Sequence, residues 1–545
     1  MRRAALLGVL ILLCSGVAEG STTLKRRVVP GEPKDGFTPL VYGPGDPTLV
    51  RDDLAAPKAG RAHRRRSLVY FAQLSDFQLA DEESPMRVEA LDQVNSALSA
   101  AWRPQEALMP YVVDASIRQV DANRRSPIRS RGGKRARLAL TLLTGDNADN
   151  QQGNEAAWVA RLIDGGPLDP NSGVVDDASM QGRGCAGADR AALAAEAPRY
   201  TGVQDVDDYV ESGTFYDPDA PAGQFAAFPR YPGLLDRSEQ PFAATGLDVP
   251  SYVALGNHDG LVQGNQAAIS SFTAVATGCI KAIAPSLSAT DPAGPLALTI
   301  LQTDPAKTIV VPPDPARAPV TKPQYRGLFG DRHGFEHIDA DELAASRGAA
   351  SYYSFSPRRG LRFVVLDTIA NAGIVGFGSE GNVDDPQFQW LEKTLTAADR
   401  ADELVILVSH HAPVSLTTDI GDEVAGACDD PDHPADAGCD LDPRSSTPMH
   451  LGDELVAEVL KHPHVVAWVA GHSHVNDIAF YGKRPRGFWV VRTSAEADFP
   501  HQDRLLELMD NRDGTLSLFG TLLDDAAPAA APPSGTDAAS MTPDQ

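Results

Sequence analysis

The chain has 545 residues, 42% hydrophobic and 22% charged, an ordinary globular balance that excludes a fibrous or wholly disordered protein. Its 73 acidic and 48 basic residues leave a net charge of −25, which repels polyanions and excludes a general nucleic-acid binder. The 47 glycines and 42 prolines predict many turns and long loops.

Residues 1–20 read as a secretory signal. Arg2 and Arg3 precede an apolar run, Ala4 to Leu13, too short to span a bilayer, and Ala18 and Gly20 place small residues ahead of a cut before Ser21. No later stretch reaches ~18 consecutive apolar residues, so the expectation is an exported protein, secreted or held in the cell envelope, without a transmembrane segment. An N-terminal extension, residues 21–66, ends in a basic cluster from Arg61 to Arg66 that reads as a solvated lead-in to a strand. The main domain is expected over 67–523. The last stretch, 524–545, is rich in Ala, Pro, Ser, Thr and Asp, which predicts a disordered tail.

Inside the main domain, short apolar runs stop abruptly at polar clusters. Ser67 to Leu74 runs into Ser75-Asp76-Phe77-Gln78, and Arg137 to Leu143 into Thr144-Gly145-Asp146-Asn147. Ser251 to Leu255 meets Gly256-Asn257-His258-Asp259, Leu404 to Val408 meets Ser409-His410-His411, and Val465 to Ala470 meets Gly471-His472-Ser473-His474. These runs lack alternation, the pattern of strands buried on both faces. Leu361 to Leu366, ending at Asp367-Thr368, is another such strand. Helices are predicted over Ser84 to Ala100, where Ser-Pro opens an apolar set at helical spacing, over Glu155 to Ile163 and over Gln387 to Leu395. Five times, metal-capable side chains follow the carboxyl end of a candidate strand, the edge where sites assemble in α/β folds.

Two divalent ions about 3.5–4 Å apart need a shared carboxylate and further ligands on each side. Asp146, with two carboxylate oxygens, suits the bridge. Asp76, His474 and Gln78 would complete one ion's shell, and Asn257, His472 and His410 the other's. The two ions, two carboxylates and a bridging hydroxide sum to about +1, enough to draw one phosphate group into an acidic protein. His258, beside Asn257, is placed to protonate a leaving oxygen or hold a phosphoryl oxygen. The nucleophile elbow G-x-S-x-G does not fit GHSHV, whose fifth residue is Val475.

The ordered set GDNADN, GNHD, SHH and GHSH, spread from about Ser67 to Glu507, resembles the calcineurin-like metallophosphoesterases. Gln389-Trp390-Leu391-Glu392 matches a helix often seen before their late-histidine strand. The resemblance implies a four-layer α/β/β/α sandwich of two mixed sheets with large loop insertions, here about 165–245, 262–350 and 415–450. It implies hydrolysis of a small phosphate mono- or diester by a metal-bridging hydroxide, with His258, Asp146 and Asn257 as catalytic residues. Asp76-Phe77-Gln78 departs from the family's D-x-H. An amide oxygen is a weaker, harder donor than imidazole, so among Mn, Fe, Mg and Zn it favours Mn or Fe. The late ligand is the first histidine after its strand, His410, although His411-Ala412-Pro413 also fits a ligand-x-Pro pattern. Asn147 joins His258 as an expected substrate contact, and His411 is expected to be an outer-shell or substrate contact. The rival reading is a non-catalytic or single-metal binding protein on the same fold.

Without Cys14 of the signal, Cys185, Cys279, Cys428 and Cys439 remain, an even number that suits two disulfides in an oxidising compartment. Cys428 and Cys439 would close a short loop, leaving Cys185 for Cys279. The sequence sets no oligomeric state.

Overall fold

The computed structural model describes residues 20–545 other than 35, 95, 206–212, 287–298, 331, 371–377, 420–440 and 443–446. The signal segment and the Cys428/Cys439 pair lie outside the described residues, as does most of the third expected insertion.

Two mixed sheets build an α/β fold. The first has five strands: β1 (Arg66–Leu74), β2 (Thr141–Thr144), β3 (Ser251–Ala254), β10 (Gln502–Asp510) and β11 (Leu516–Asp524), in the order β11-β10-β1-β2-β3. The second has six: β4 (Tyr353–Arg358), β5 (Leu361–Val365), β6 (Leu404–Val408), β7 (Val465–Ala470), β8 (Asp477–Lys483) and β9 (Arg486–Arg492), in the order β4-β5-β6-β7-β9-β8. β1, β2 and β3 are parallel, as are β5, β6, β7 and β9, while the outer strands β4, β8, β10 and β11 run antiparallel to their neighbours. Parallel neighbours require crossovers. For four of the five parallel pairs they are supplied by α1 (Met109–Ala122), α2 (Gly153–Asp164), α3 (Asp385–Arg400) and α4 (Gly452–Val459), and between β7 and β9 by β8.

The uninterrupted apolar runs are explained by burial on two sides. Between the sheets, Phe71 meets Phe363 edge to face and Tyr252 stacks on Phe355, within a core that also holds Leu142, Ile406, Ala467 and Leu506. On its other side the second sheet buries Val364, Leu407 and Trp468 with Leu391 and Leu395 of α3 and Leu455 and Val459 of α4. Helix α3 starts where Asp384 accepts from the Gln387 backbone N–H, with a proline in its first turn. At the seam of the sheets the Gln73 amide donates to Thr144 Oγ1 at 3.0 Å and to Ala470 O at 2.9 Å, tying the ends of β1, β2 and β7 together.

Several expectations are corrected. Ser84 to Ala100 is not an α-helix but two 3₁₀ turns, Glu89–Gln93 and Ser96–Ala101. Arg87 and Glu89 are fully buried there among opposite charges, with Glu89 taking a 2.7 Å ion pair from Lys281. Those pairings, not helical periodicity, set the backbone. The 137–143 run is strand only from Thr141. The C-terminal segment, expected to have nothing to bury, docks instead. Ala538 and Met541 pack on Tyr231, the Tyr231 hydroxyl donates to Pro532 O at 2.8 Å, and Arg118 pairs with Asp544 at 2.6 Å. In the N-terminal extension Arg61 and Arg64 both pair with Asp513, so the basic cluster is spent on local ion pairs.

The first two insertions are stitched to each other. Cys185 and Cys279 form a disulfide between them and the Val174 N–H donates to Pro313 O at 2.7 Å, while buried Arg317 ties the second to Asp81 and Glu83 in the segment after β1.

Candidate metal centre

The carboxyl ends of β1, β2, β3, β6 and β7 converge. Past their ends the first two motifs stay paired: Asp76, Gln78 and Leu79 donate backbone N–H groups to Gly145, Asp146 and Asn147 carbonyls at 2.8–3.0 Å. Close approach at the motifs needs glycine. A Cβ on Gly256 would stand 2.2 Å from both Asp146 N and Oδ1, and one on Gly471 would meet Ser75 Oγ at 2.0 Å. Asp76, Gln78, Asp146, His472 and His474 all have left-handed φ, between +41° and +69°. Each such non-glycine residue costs on the order of 1–3 kcal/mol, and such strain clusters where side chains must be aimed.

The aimed atoms form one cluster. His410 Nε2 lies 3.1 Å from Asp146 Oδ2, 2.9 Å from Asn257 Oδ1 and 3.2 Å from His472 Nδ1. His472 Nδ1 is 3.1 Å from the same Asn257 oxygen. On the other side, His474 Nε2 lies 3.4 Å from Asp76 Oδ1, and Asp76 shares with Asp146 and His410 a group of ligand atoms all within 4.8 Å of one another. Donors about 2.1 Å from a common ion and about 90–110° apart stand roughly 3.0–3.4 Å from each other. These separations therefore suit metal coordination. Gln78 supports the fit: its side chain is buried, yet Oε1 has no hydrogen-bond partner among the described residues. A buried amide oxygen left without a donor is costly unless a cation takes its place.

The electrostatics agree. Burial raises Asp146, but His410 and His258 overcome it and hold the carboxyl well below the ordinary range. Burial would lower His410, yet the Asp146 and Asp76 carboxylates lift it to about 9. His474 rises to about 10 because hydrogen bonds to Asp498 and Asp76 outweigh its burial. The carboxylates thus gather positive charge onto the imidazoles, and divalent ions would satisfy the same demand.

The choice between the adjacent histidines falls to His410. His411 also stands in a possible donor group with His410 and His472, but both its ring nitrogens have partners. Nδ1 is 2.9 Å from Thr368 Oγ1 and Nε2 is 2.7 Å from Ser379 O. Fully buried, it packs against the His472 ring, which fits the outer-shell alternative better than a substrate contact. Burial, followed by His472 and His410, keeps it neutral. Asn147 is likewise corrected. Its amide donates to Ala254 O at 3.2 Å and to Asp259 Oδ2 at 3.0 Å, which makes it a brace for the GNHD turn rather than a substrate contact.

His258 lies against both Asp146 and Asp149. Its backbone N–H donates to Asp146 Oδ1 at 2.8 Å, and its Nδ1 faces the Asp149 carbonyl at 2.6 Å and the Asp149 carboxylate at 3.4 Å. Burial opposes its charge, but Asp146 and Asp149 raise its pKa above the ordinary value. Sequence reasoning missed Asp149, Asp259 and Asp498 as partners. Asp259 accepts backbone N–H groups from Asn147, Ala148 and Gly256 and the Tyr325 hydroxyl. The first two are the closing aspartates of GDNAD and GNHD, so the motifs did carry that signal.

Two mixed sheets with a histidine- and aspartate-lined cluster at their parallel-strand ends are the arrangement that the motif resemblance implies. The chain is similar to the calcineurin-like phosphoesterases, whose family model matches residues 208–476. The match takes in Asn257, His258, His410, His472 and His474, and the fold adds Asp76, Gln78 and Asp146 from before it. Among solved structures the chain is similar to a dimetal phosphatase from Danio rerio, with 13% identity, a TM-score of 0.35, and coverage of 82% of this chain and 96% of that one. It is also similar to PhoD, with 11% identity, a TM-score of 0.30, and coverage of 92% and 76%. No curated protein matches the chain.

Proposed function

We propose that the protein is an exported phosphoesterase that hydrolyses a small phosphate mono- or diester with two divalent ions, Mn or Fe rather than Zn. The observation that carries this reading is the meeting of Asp146, Asn257, His410 and His472 within 2.9–3.2 Å, next to Asp76, His474 and the unpartnered Gln78 oxygen. Asn257, His410 and His472 would hold one ion, Asp76, Gln78 and His474 the other, and Asp146 both. When bound, such ions stabilise the entering and leaving oxygens of an in-line displacement and bring the pKa of water to about 7.

The chain's own residues prepare that chemistry. The Asn257 amide donates to Gly264 O at 3.0 Å, which turns its oxygen toward the histidines. His410 Nδ1 is 2.8 Å from Thr144 O, which leaves Nε2 as its donor atom. His258 Nε2 has no hydrogen-bond partner among the described residues, while Nδ1 is tied to Asp149. A charged His258 therefore gives its proton from Nε2 to the departing alkoxide. Export is supported by the layout of residues 1–20.

The test is metal analysis and turnover of the purified chain. About two ions per chain with EDTA-sensitive hydrolysis of an aryl phosphate supports the reading. One ion or none, with no turnover of mono- or diester, would return the protein to the binding class. His258→Gln should lower kcat on an alkyl phosphate about 10²-fold and less on an aryl phosphate, whose leaving group needs less protonation.

A further inference from the structure

The three imidazoles of the centre differ in what stands behind them. His410 has the Thr144 carbonyl. His472 turns Nε2 toward the Glu380 carboxylate at 3.8 Å. His474, which faces Asp76 through Nε2, has its Nδ1 hydrogen-bonded to Asp498 Oδ2, and the other oxygen of Asp498 accepts from Arg103 Nε at 2.7 Å. The Asp498 loop is fixed to the first motif by its backbone, since the Ala497 N–H donates to Asp76 O at 3.0 Å. It is fixed from outside by Gln105, whose amide donates to Ala497 O at 2.8 Å. Arg103 also lies 3.6 Å from Glu106, which pairs with buried Arg87. A continuous line of partners thus runs from Asp76 through His474 and Asp498 to Arg103.

We propose that Asp498, held by Arg103, is a positioning residue that fixes the tautomer and aim of His474 and offsets the weak Gln78 donor at the same ion. The inference rests on the two-ion reading above. A carboxylate on the far nitrogen of a ligating imidazole raises its basicity and locks its rotation, and losing such a partner typically costs about 10–100-fold in metal affinity. The Asp76 half needs this most, because a neutral amide stands where a second imidazole would. The partner comes from a loop some twenty residues after His474, which is why no motif spacing reveals it.

The experiment is equilibrium dialysis against Mn²⁺, with metal content per chain read for wild type, Asp498→Asn, Asp498→Glu and Arg103→Gln, each checked for an unchanged unfolding midpoint. Asp498→Asn should weaken one of two ions about 10–100-fold and leave the other at wild-type affinity. Asp498→Glu should recover part of the loss, and Arg103→Gln should show a smaller loss at the same ion. Visible spectra of the Co²⁺-loaded forms should change for that one ion. Two ions bound as tightly in Asp498→Asn as in wild type would overturn the inference while leaving the phosphoesterase reading intact. Equal weakening of both ions would also overturn it, since that is the mark of general structural damage. If Asp498→Asn does not fold, Arg103→Gln decides on the same readout. A wild-type chain that binds no Mn²⁺ would defeat the two-ion reading itself.

Discussion

The two halves of the metal centre are built to different standards. In one, Asn257 and His410 are deeply buried, His472 is nearly so, and their donor atoms stand 2.9–3.2 Å apart. In the other, His474 keeps a side chain 21% exposed, its donor is 3.4 Å from Asp76, and the third donor is a neutral amide. The first half has its geometry settled by packing. The second relies on partners beyond its ligands, the half-exposed Asp498 carboxylate and the buried Arg103 guanidinium. If both halves hold ions as proposed, the half with the more exposed His474 is expected to exchange its ion faster.

The largest effect should come from removing what the halves share. Asp146→Asn is expected to reduce turnover about 10³-fold or more and to lower bound metal on both sides. Full activity in that variant, measured with an aryl phosphate, would mean the halves do not meet at Asp146. His410→Ala and His474→Ala should then separate them. The first empties the enclosed half, while the second leaves one ion per chain after dialysis. Equal losses would erase the distinction. The smallest effect is a gain: Gln78→His is expected to slow metal loss to EDTA from the open half by about tenfold. An unchanged rate would show that residue 78 does not ligate.

Those halves were unequally legible in the sequence. The enclosed one is written in short motifs that follow fully buried strands, where two-sided burial gives unbroken apolar runs and the ligands come next in the chain. The open half's ligands were legible for the same reason, but its supports were not. Asp498, Arg103 and Glu380 lie in loops, whose contacts obey no period. The helix expected over Ser84 to Ala100 failed for a related reason. Val88 and Leu91 are buried as their spacing suggests, but Arg87, Glu89 and Lys281 had to pair inside, and two short turns satisfy both demands. In the tail, low hydrophobicity is a fair sign of disorder, yet the apolar side chains of Ala538 and Met541 and a few backbone hydrogen bonds suffice to dock it, such as Ala538 N–H to Pro232 O at 3.0 Å. As substrate contacts, His411 and Asn147 show the reverse failure. Both sit beside true site residues in the chain, and both are consumed by hydrogen bonds that adjacency cannot foretell.

The Cys185–Cys279 bond joins segments 94 residues apart in the chain. Closing a loop of that size restrains the unfolded chain by about 4–5 kcal/mol, and nothing else covalent links the two insertions among the described residues. A producing host with a reducing cytoplasm would therefore yield material with sound sheets but with the two insertions less tightly joined. Its melting temperature should climb on oxidative refolding, which makes the choice of expression compartment the first practical decision for anyone who wants to assay the protein.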